Sequence, residues 1–225
     1  MGNLGGSLGG TAKKAGKQAA SSALNVDVDA LNGDKDGMLK SLYNAAVCYG
    51  QASLDISEAL GLDSGKHAAL QAAMSNLKNK KTDLGSIKEV TDASKLDSKT
   101  VEEAANELMN SGDQEKIERA NKLIKKSKTE RQAANIYKLL AARNATKLIS
   151  SSTKALASGK KDLGDKAQVV EGLLSTAKSA KSITDDIGAN HKVMASALKT
   201  YEKKNNIADV SKDEALNQTK SMTLE

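Results

Sequence analysis

The sequence contains no proline, no phenylalanine and no tryptophan, and four tyrosines are its only aromatic residues. Proline interrupts helices because it lacks a backbone N–H and clashes with the preceding turn. Strands favour aromatic and β-branched side chains, and the aromatic ones are scarce here. These absences argue against a sheet and permit unusually long helices. The abundant residues are Ala, Lys, Leu, Ser and Asn, so we expect long, thin helices around a narrow core.

Cysteine and long apolar runs are also scarce. Cys48 is the single cysteine, which excludes an intramolecular disulfide. It lies between Val47 and Tyr49 in a helical pattern, so we expect a small buried side chain rather than a reactive thiol. No stretch approaches the about 18 apolar residues that a membrane-spanning helix needs.

The two ends of the chain are polar or rich in glycine. Residues 1–10 contain five glycines, a composition typical of a flexible tether. This segment resembles the one that follows the lipidated cysteine of bacterial lipoproteins. The resemblance implies a periplasmic or membrane-tethered protein whose signal sequence has been removed, although a cytoplasmic protein with a Gly-rich end would look the same. Leu224 and Glu225 are interpreted as residues left by a cloning vector.

The spacing of apolar residues predicts several helices between these ends. Residues at three- and four-residue intervals predict one helix from about 36 to 61 and a second from 64 to 93. Thr100 and Glu103 form a capping box that begins a short helix ending near Asn110. We therefore divide the chain at residues 36 and 204, and the resulting regions are a tether with a polar loop (1–35), a helical bundle (36–204) and a polar, frayed tail (205–225).

Two long helices are expected in the second half of the chain. Residues 114–157 contain neither Gly nor Pro and predict a helix about 66 Å long. A return helix over 162–204 would complete a long αα-hairpin at 114–204. The fold class is therefore all-α, an elongated up-and-down bundle of about four main helices. Because the other helices are shorter, part of the hairpin should protrude, and its Ala-rich surface would suit dimerisation.

The return helix carries a heptad-like apolar seam of the kind found in coiled coils. His191 occupies one of its positions, so we expect either a hydrogen-bonded core residue or a polar group that contacts a ligand. The seam positions are Leu163, Val170, Leu173, Ala177, Ala180, Thr184, Ile187, His191, Met194, Leu198 and Tyr201.

One polar segment partly matches a calcium-binding loop. Asn32, Asp34 and Asp36 place oxygen atoms at alternate positions, and Gly37 stands at the sixth position, where such loops turn sharply. The twelfth position should be a bidentate Glu, but it is Tyr43. The alternative is a polar turn in which Asp34 or Asp36 caps the next helix. We expect no bound metal.

The net charge of +6 is unevenly distributed. Residues 131–204 contain 14 basic and 6 acidic residues. Lysine dominates, whereas nucleic-acid recognition relies on arginine and on aromatic stacking, so a nucleic-acid partner is disfavoured. The lysines indicate either an anionic partner, such as a lipid surface or polyanion, or simply a solvated exterior.

No sequence motif supports catalysis or a cofactor. The chain has no Gly-x-Ser-x-Gly elbow and no phosphate-binding loop, and neither His67 nor His191 follows a Glu at the three-residue spacing of di-metal bundles. We therefore expect a protein that is not an enzyme and uses no cofactor. The first hypothesis is an interaction or scaffold protein of a bacterial envelope, with a protein partner or self-association. The alternatives are a carrier of an apolar small molecule or lipid, and a binder of polyanions or membrane surfaces.

Overall fold

The computed structural model describes residues 26–157, 164 and 166–225. Within these residues the helix content is 87% and no strand is formed, so the predicted all-α class is confirmed. The Gly-rich segment 1–10 and seam residue Leu163 lie outside the described residues.

The described ranges form seven α-helices, which we number in chain order, and a final 3₁₀ turn at Lys220–Met222. The α-helices are α1 Val28–Leu60, α2 Ser64–Lys80, α3 Leu84–Ala93, α4 Ser98–Asn110, α5 Gln114–Ala157, α6 Lys166–Lys204 and α7 Lys212–Thr219.

Helix α1 lies at the centre of the fold. From Leu42 to Ser57 every residue except Gln51 is buried, a stretch of more than four turns, so all sides of the helix are covered. Helices α2 to α6 all pack against it. Alanine, serine and glycine supply much of this surface, and their small side chains allow neighbouring helices to approach closely.

Helix α1 runs antiparallel to α5 over most of its length. Near one end, Glu58 Oε1 accepts a hydrogen bond from Arg119 Nη2 at 3.0 Å; near the other, Asp34 pairs with Lys147 at 2.8 Å. The apolar surface of α5 is therefore covered by α1 as far as Lys147. The contact between α1 and α5 extends this far because α1 begins eight residues earlier than the apolar spacing predicts.

The early start of α1 also corrects the polar loop expected before residue 36. Asp27 is the N-cap, and its side chain accepts a hydrogen bond from the Ala30 N–H at 2.9 Å. Neither Asp34 nor Asp36 caps the helix, since both lie inside it. Burial of Leu31 and Met38 holds these first turns in place.

Helix α6 packs antiparallel to α5 and presents the predicted seam to the core. Nine of the eleven seam positions are buried, whereas His191 is half-buried and Leu163 is not described. The second predicted helix, 64–93, is interrupted after Lys80. Lys81 adopts a left-handed φ of 48°, and Asp83 caps α3 by accepting a hydrogen bond from the Ser86 N–H at 2.8 Å.

The C-terminal region is ordered rather than frayed. Helix α7 packs against α5, and it buries Ala215 and Thr219. Asn44 of α1 uses both ends of its side-chain amide on Leu224: Oδ1 accepts from the backbone N–H at 2.7 Å, and Nδ2 donates to the carbonyl at 3.0 Å. The C-terminal region, residues 205–225, therefore packs against α1 and α5 as part of the fold.

Gly50 marks the closest approach of α1 to its neighbours. A Cβ added there would lie 2.9 Å from Met74 Sδ and 3.0 Å from Val90 Cγ1, both nearer than van der Waals contact allows. Gly172, in the interior of α6, has open space around it, with nothing within 4 Å. Close packing thus requires glycine at the first position and not at the second.

We predict opposite effects for the same substitution at these two sites. Gly172→Ala should raise the free energy of unfolding by about 0.5–1 kcal/mol, because alanine favours the helix. Gly50→Ala should lower it by about 1–3 kcal/mol, because the stiff Val90 side chain cannot move away easily. Urea unfolding followed by circular dichroism measures both, and a stabilised Gly50→Ala variant would contradict the packing described here.

Candidate functional site

A cleft of about 450 Å³ lies beside His191, between α5, α6 and the segment that joins α6 to α7. Helix α5 contributes Lys128 and Arg131, α6 contributes His191 and Glu202, and the joining segment contributes Asp209. We call this the Arg131 cleft. Its three remaining lining residues are Gln132, Ala195 and Val210.

Charged side chains of both signs meet in this cleft. Arg131 is only 4% exposed, and its Nη2 donates a hydrogen bond to Glu202 Oε1. Lys128 Nζ lies 3.0 Å from Glu202 Oε2 and 2.8 Å from Asp209 Oδ1, and it also donates to the Ile207 carbonyl at 3.1 Å. The Arg131–Glu202 pair is withdrawn from solvent, whereas the Asp209 side chain is 97% exposed.

Two nitrogen atoms of this group lack a hydrogen-bond partner within the described part of the chain. They are Arg131 Nε and His191 Nδ1, and both atoms are buried. Burial, together with the positive charges of Arg131 and Lys138, lowers the pKa of His191 to about 4, so its imidazole is neutral near pH 7. Buried polar atoms nearly always have a hydrogen-bond partner in folded proteins. Two unpaired nitrogen atoms at one cleft are therefore unusual.

A second buried polar cluster joins α1 to α5. Asp55 and Glu130 are both buried and share one ammonium group: Lys126 Nζ lies 2.9 Å from Asp55 Oδ2 and 3.6 Å from Glu130 Oε1. Gln51 Nε2 adds a hydrogen bond to Asp55 at 2.9 Å. Burial, and then the negative charge of Asp55, raise the pKa of Glu130 to about 8, so this carboxyl group keeps its proton at neutral pH.

The exposed side of α6 carries a row of lysines. At 100° per residue, Lys178, Lys181, Lys192, Lys199 and Lys203 fall within an arc of about 60°, and all five are exposed. We call this row the lysine stripe. The same arc contains one carboxylate, Asp185, which pairs with Lys181 at 2.8 Å.

Helix α5 adds a further cation next to the stripe. The side chain of Lys138 lies 3.4 Å from the position that a Cβ on Gly188 would occupy. Burial and the positive charge of Lys192 both lower the pKa of Lys138, although Asp185 opposes them. Lys138 therefore adds a positive charge beside the lysine stripe.

The structure places the remaining sequence-derived candidates as follows. Asn32, Asp34 and Asp36 lie two residues apart on α1, and side chains at that spacing point to different sides of a helix, so they cannot surround a calcium ion as a loop would. Cys48 is buried as expected, and burial raises the pKa of its thiol to about 12, which leaves essentially no thiolate near neutrality.

Sequence reasoning identified His191 but missed Arg131 and Glu130. A signal for Arg131 exists: Ile124, Ser127, Arg131 and Ala134 follow one another at three- and four-residue spacing, and all four are buried. A charged residue at a position of a buried face indicates a paired charge in the core. Glu130 follows buried Ser127 by three residues and precedes buried Ala134 by four, so the same spacing marks it.

Two other kinds of feature are absent from the described ranges. None of the helices there is long and apolar enough to cross a membrane. No group of three or more His, Cys, Asp or Glu side chains in those ranges is arranged to hold a metal ion.

Comparison with known proteins gives no match: no family model, no curated protein and no solved structure corresponds to this chain.

We predict that His191→Leu keeps or raises the stability of the protein. The substitution removes a buried nitrogen without a partner and places an apolar side chain on the α6 seam. Because the pKa of folded His191 lies below its ordinary value of 6.5, wild-type stability falls as pH drops from about 6.5 to about 4. The advantage of the variant should therefore grow in acid, as measured by urea unfolding at pH 7 and pH 5.

His67→Leu is the matched control, because it makes the same replacement at the other histidine, which lies on α2, away from the α6 seam. Loss of about 2 kcal/mol or more in His191→Leu at pH 7 would mean that buried partners depend on the imidazole.

We predict that Glu130→Gln removes a pH dependence of the opposite sign. Folded Glu130 holds a proton that the unfolded chain releases above about pH 4.5, so wild-type stability declines as pH rises toward 8, by up to about 1.4 kcal/mol per pH unit. Glutamine cannot ionise, so the difference in unfolding free energy between variant and wild type should grow from pH 5 to pH 8. Glu118→Gln, an exposed change on the same helix, is the control, and parallel profiles for Glu130→Gln and wild type would refute the prediction.

Proposed function

We propose that this chain is a non-catalytic interaction protein of a bacterial envelope that rests against an anionic lipid surface through the lysine stripe of α6. The observation that carries the proposal is the alignment of Lys178, Lys181, Lys192, Lys199 and Lys203 on one exposed face of a single helix. A straight helix spaces the first and last of these by about 37 Å. Such a face can contact many lipid headgroups at once.

Two further observations favour an anionic partner over a merely solvated face. Lysine charges on soluble surfaces are usually interspersed with carboxylates, whereas this arc contains only Asp185. Lys192 also lies close enough to Lys138 for its positive charge, in addition to burial, to lower the pKa of Lys138. An anionic surface would relieve that repulsion.

The N-terminal segment supports the envelope and the lipid surface as the setting. Residues 1–10 resemble the tether of bacterial lipoproteins, and a tether of that kind would keep the helices near a membrane. A single lipid chain binds a membrane weakly, and a basic patch on the protein surface adds a second contact that strengthens the binding. Docking of a protein partner and self-association remain predictions, as does the elongated four-helix bundle with its hairpin.

The carrier alternative is favoured by a second cleft, of about 360 Å³, between the ends of α1 and α4 and the start of α5. Leu60, Leu108 and Leu123 line it, and Lys116 and Arg119 lie beside them. This combination suits an amphipathic anion such as a fatty acid. Native mass spectrometry of the purified protein tests it, since a carrier should retain a lipid through purification.

We predict that neutralising three stripe lysines weakens membrane binding selectively. Each lysine near an anionic surface contributes about 1 kcal/mol, so the triple variant Lys192→Gln, Lys199→Gln and Lys203→Gln should bind about 100-fold more weakly. The measurement is co-sedimentation with vesicles of phosphatidylglycerol and phosphatidylcholine. Vesicles of phosphatidylcholine alone should not bind the wild type, and high salt should release it.

The matched control changes three exposed lysines on α2 by the same charge: Lys66→Gln, Lys78→Gln and Lys80→Gln. This variant should bind like the wild type. Equal losses in both variants would mean that net charge rather than the stripe attracts the vesicles. Binding to polyphosphate without binding to vesicles would mean that the anionic partner is a soluble polyanion rather than a lipid surface.

A further inference from the structure

The Arg131 cleft contains donors that its own residues leave incompletely used. Arg131 Nε–H is buried without an acceptor among the described residues, although the Nη2 of the same side chain is paired with Glu202. His191 Nδ1 is likewise buried and unpaired, and its neutral ring can donate from this atom in one of its two tautomers. Both residues line the cleft, so a ligand oxygen that reaches either nitrogen would supply the missing acceptor.

The contacts of Lys128 indicate which oxygen-bearing group fits. An ammonium group has three donors, and those of Lys128 are shared among Glu202, Asp209 and the Ile207 carbonyl. Asp209 is 97% exposed, so holding it in this position gains little free energy. The carboxylate of a ligand could therefore replace that of Asp209, because Lys128 would donate the same hydrogen bond to it.

The charge balance selects an anion with a single charge. Once Asp209 is displaced, Lys128 and Arg131 face only one carboxylate, Glu202, at the cleft. One positive charge is then uncompensated. A monoanion restores neutrality, whereas a dianion would leave an excess of negative charge beside Glu202.

The apolar part of the lining limits the rest of the ligand. Ala195 and Val210 line the cleft next to the charged groups, and its volume is about 450 Å³. Neither side chain can hydrogen-bond, so the part of a ligand that touches them should be aliphatic. We propose that the Arg131 cleft binds a small aliphatic monocarboxylate, with its oxygens on Lys128, Arg131 Nε–H and His191. This site is separate from the lysine stripe, so it can be tested independently of the proposed function.

The first experiment is isothermal titration of the full chain with sodium isobutyrate. A ligand of so few atoms should bind with a dissociation constant of about 1 mM. Inorganic phosphate is the comparison, because it carries oxygens but no aliphatic part, and it should bind more weakly. Absence of isobutyrate binding, or phosphate binding that is equally tight, overturns the proposal.

Three variants then locate the site. Asp209→Asn removes the competing carboxylate and should tighten isobutyrate binding about two- to fivefold. Arg131→Lys keeps the charge but removes Nε–H, so it should weaken binding about tenfold or more. Arg119→Lys, the same change at an exposed position of α5, should leave binding unchanged.

Because Asp209 is exposed, Asp209→Asn remains informative even if Arg131→Lys does not fold. Isobutyrate affinity that is unchanged or weaker in Asp209→Asn would overturn the proposal. So would undiminished binding in a folded Arg131→Lys variant. The stripe variant with three neutralised lysines should still bind isobutyrate, which separates failure of this site from failure of the lipid-surface proposal.

Discussion

The enclosure of α1 by the other helices is the constraint on which the rest of the structure depends. A helix that is covered on all sides needs small residues where neighbours cross it closely, and Gly50 meets that need where Met74 and Val90 approach. Polar groups that such a helix carries inward also gain from hydrogen-bond partners on the neighbouring segments. Ser53 Oγ, for example, donates to the Ser94 carbonyl at 3.0 Å. The low content of bulky residues thus reflects the way the core is built.

Two adjacent residues of α5 connect this central helix to the outer layer. Glu130 faces Asp55 and Lys126 in the contact with α1, whereas Arg131 is paired with Glu202 of α6. Buried ion pairs add little net stability compared with apolar packing, but breaking one leaves an uncompensated charge. We interpret the two clusters as devices that fix the register of α5 against both neighbours. A shift of one turn along either helix would separate the charges.

The sequence predicted the parts of the fold that follow from periodicity, and failed where local and distant forces disagree. The α6 seam was recognisable because apolar residues recur there over many turns. Gly33, Gly37 and their neighbouring aspartates indicated a loop before residue 36, yet the segment is helical because Leu31 and Met38 are buried in the core and Asp34 pairs with Lys147. Such contacts join residues more than 100 positions apart, so no local pattern reveals them. The spacing of Arg131 places it on a buried face, but its partner Glu202 belongs to another helix and could not be identified from that spacing.

The order of the helices along the chain has a consequence for biosynthesis. Helix α5, the main neighbour of α1, begins more than 50 residues after α1 ends. The helix that becomes the centre of the protein therefore spends much of translation without its cover. Alanine and serine expose little apolar area per residue, so the nascent helix presents few sites for aggregation during that interval. The same composition that allows close packing in the finished fold thus protects the chain before it is complete.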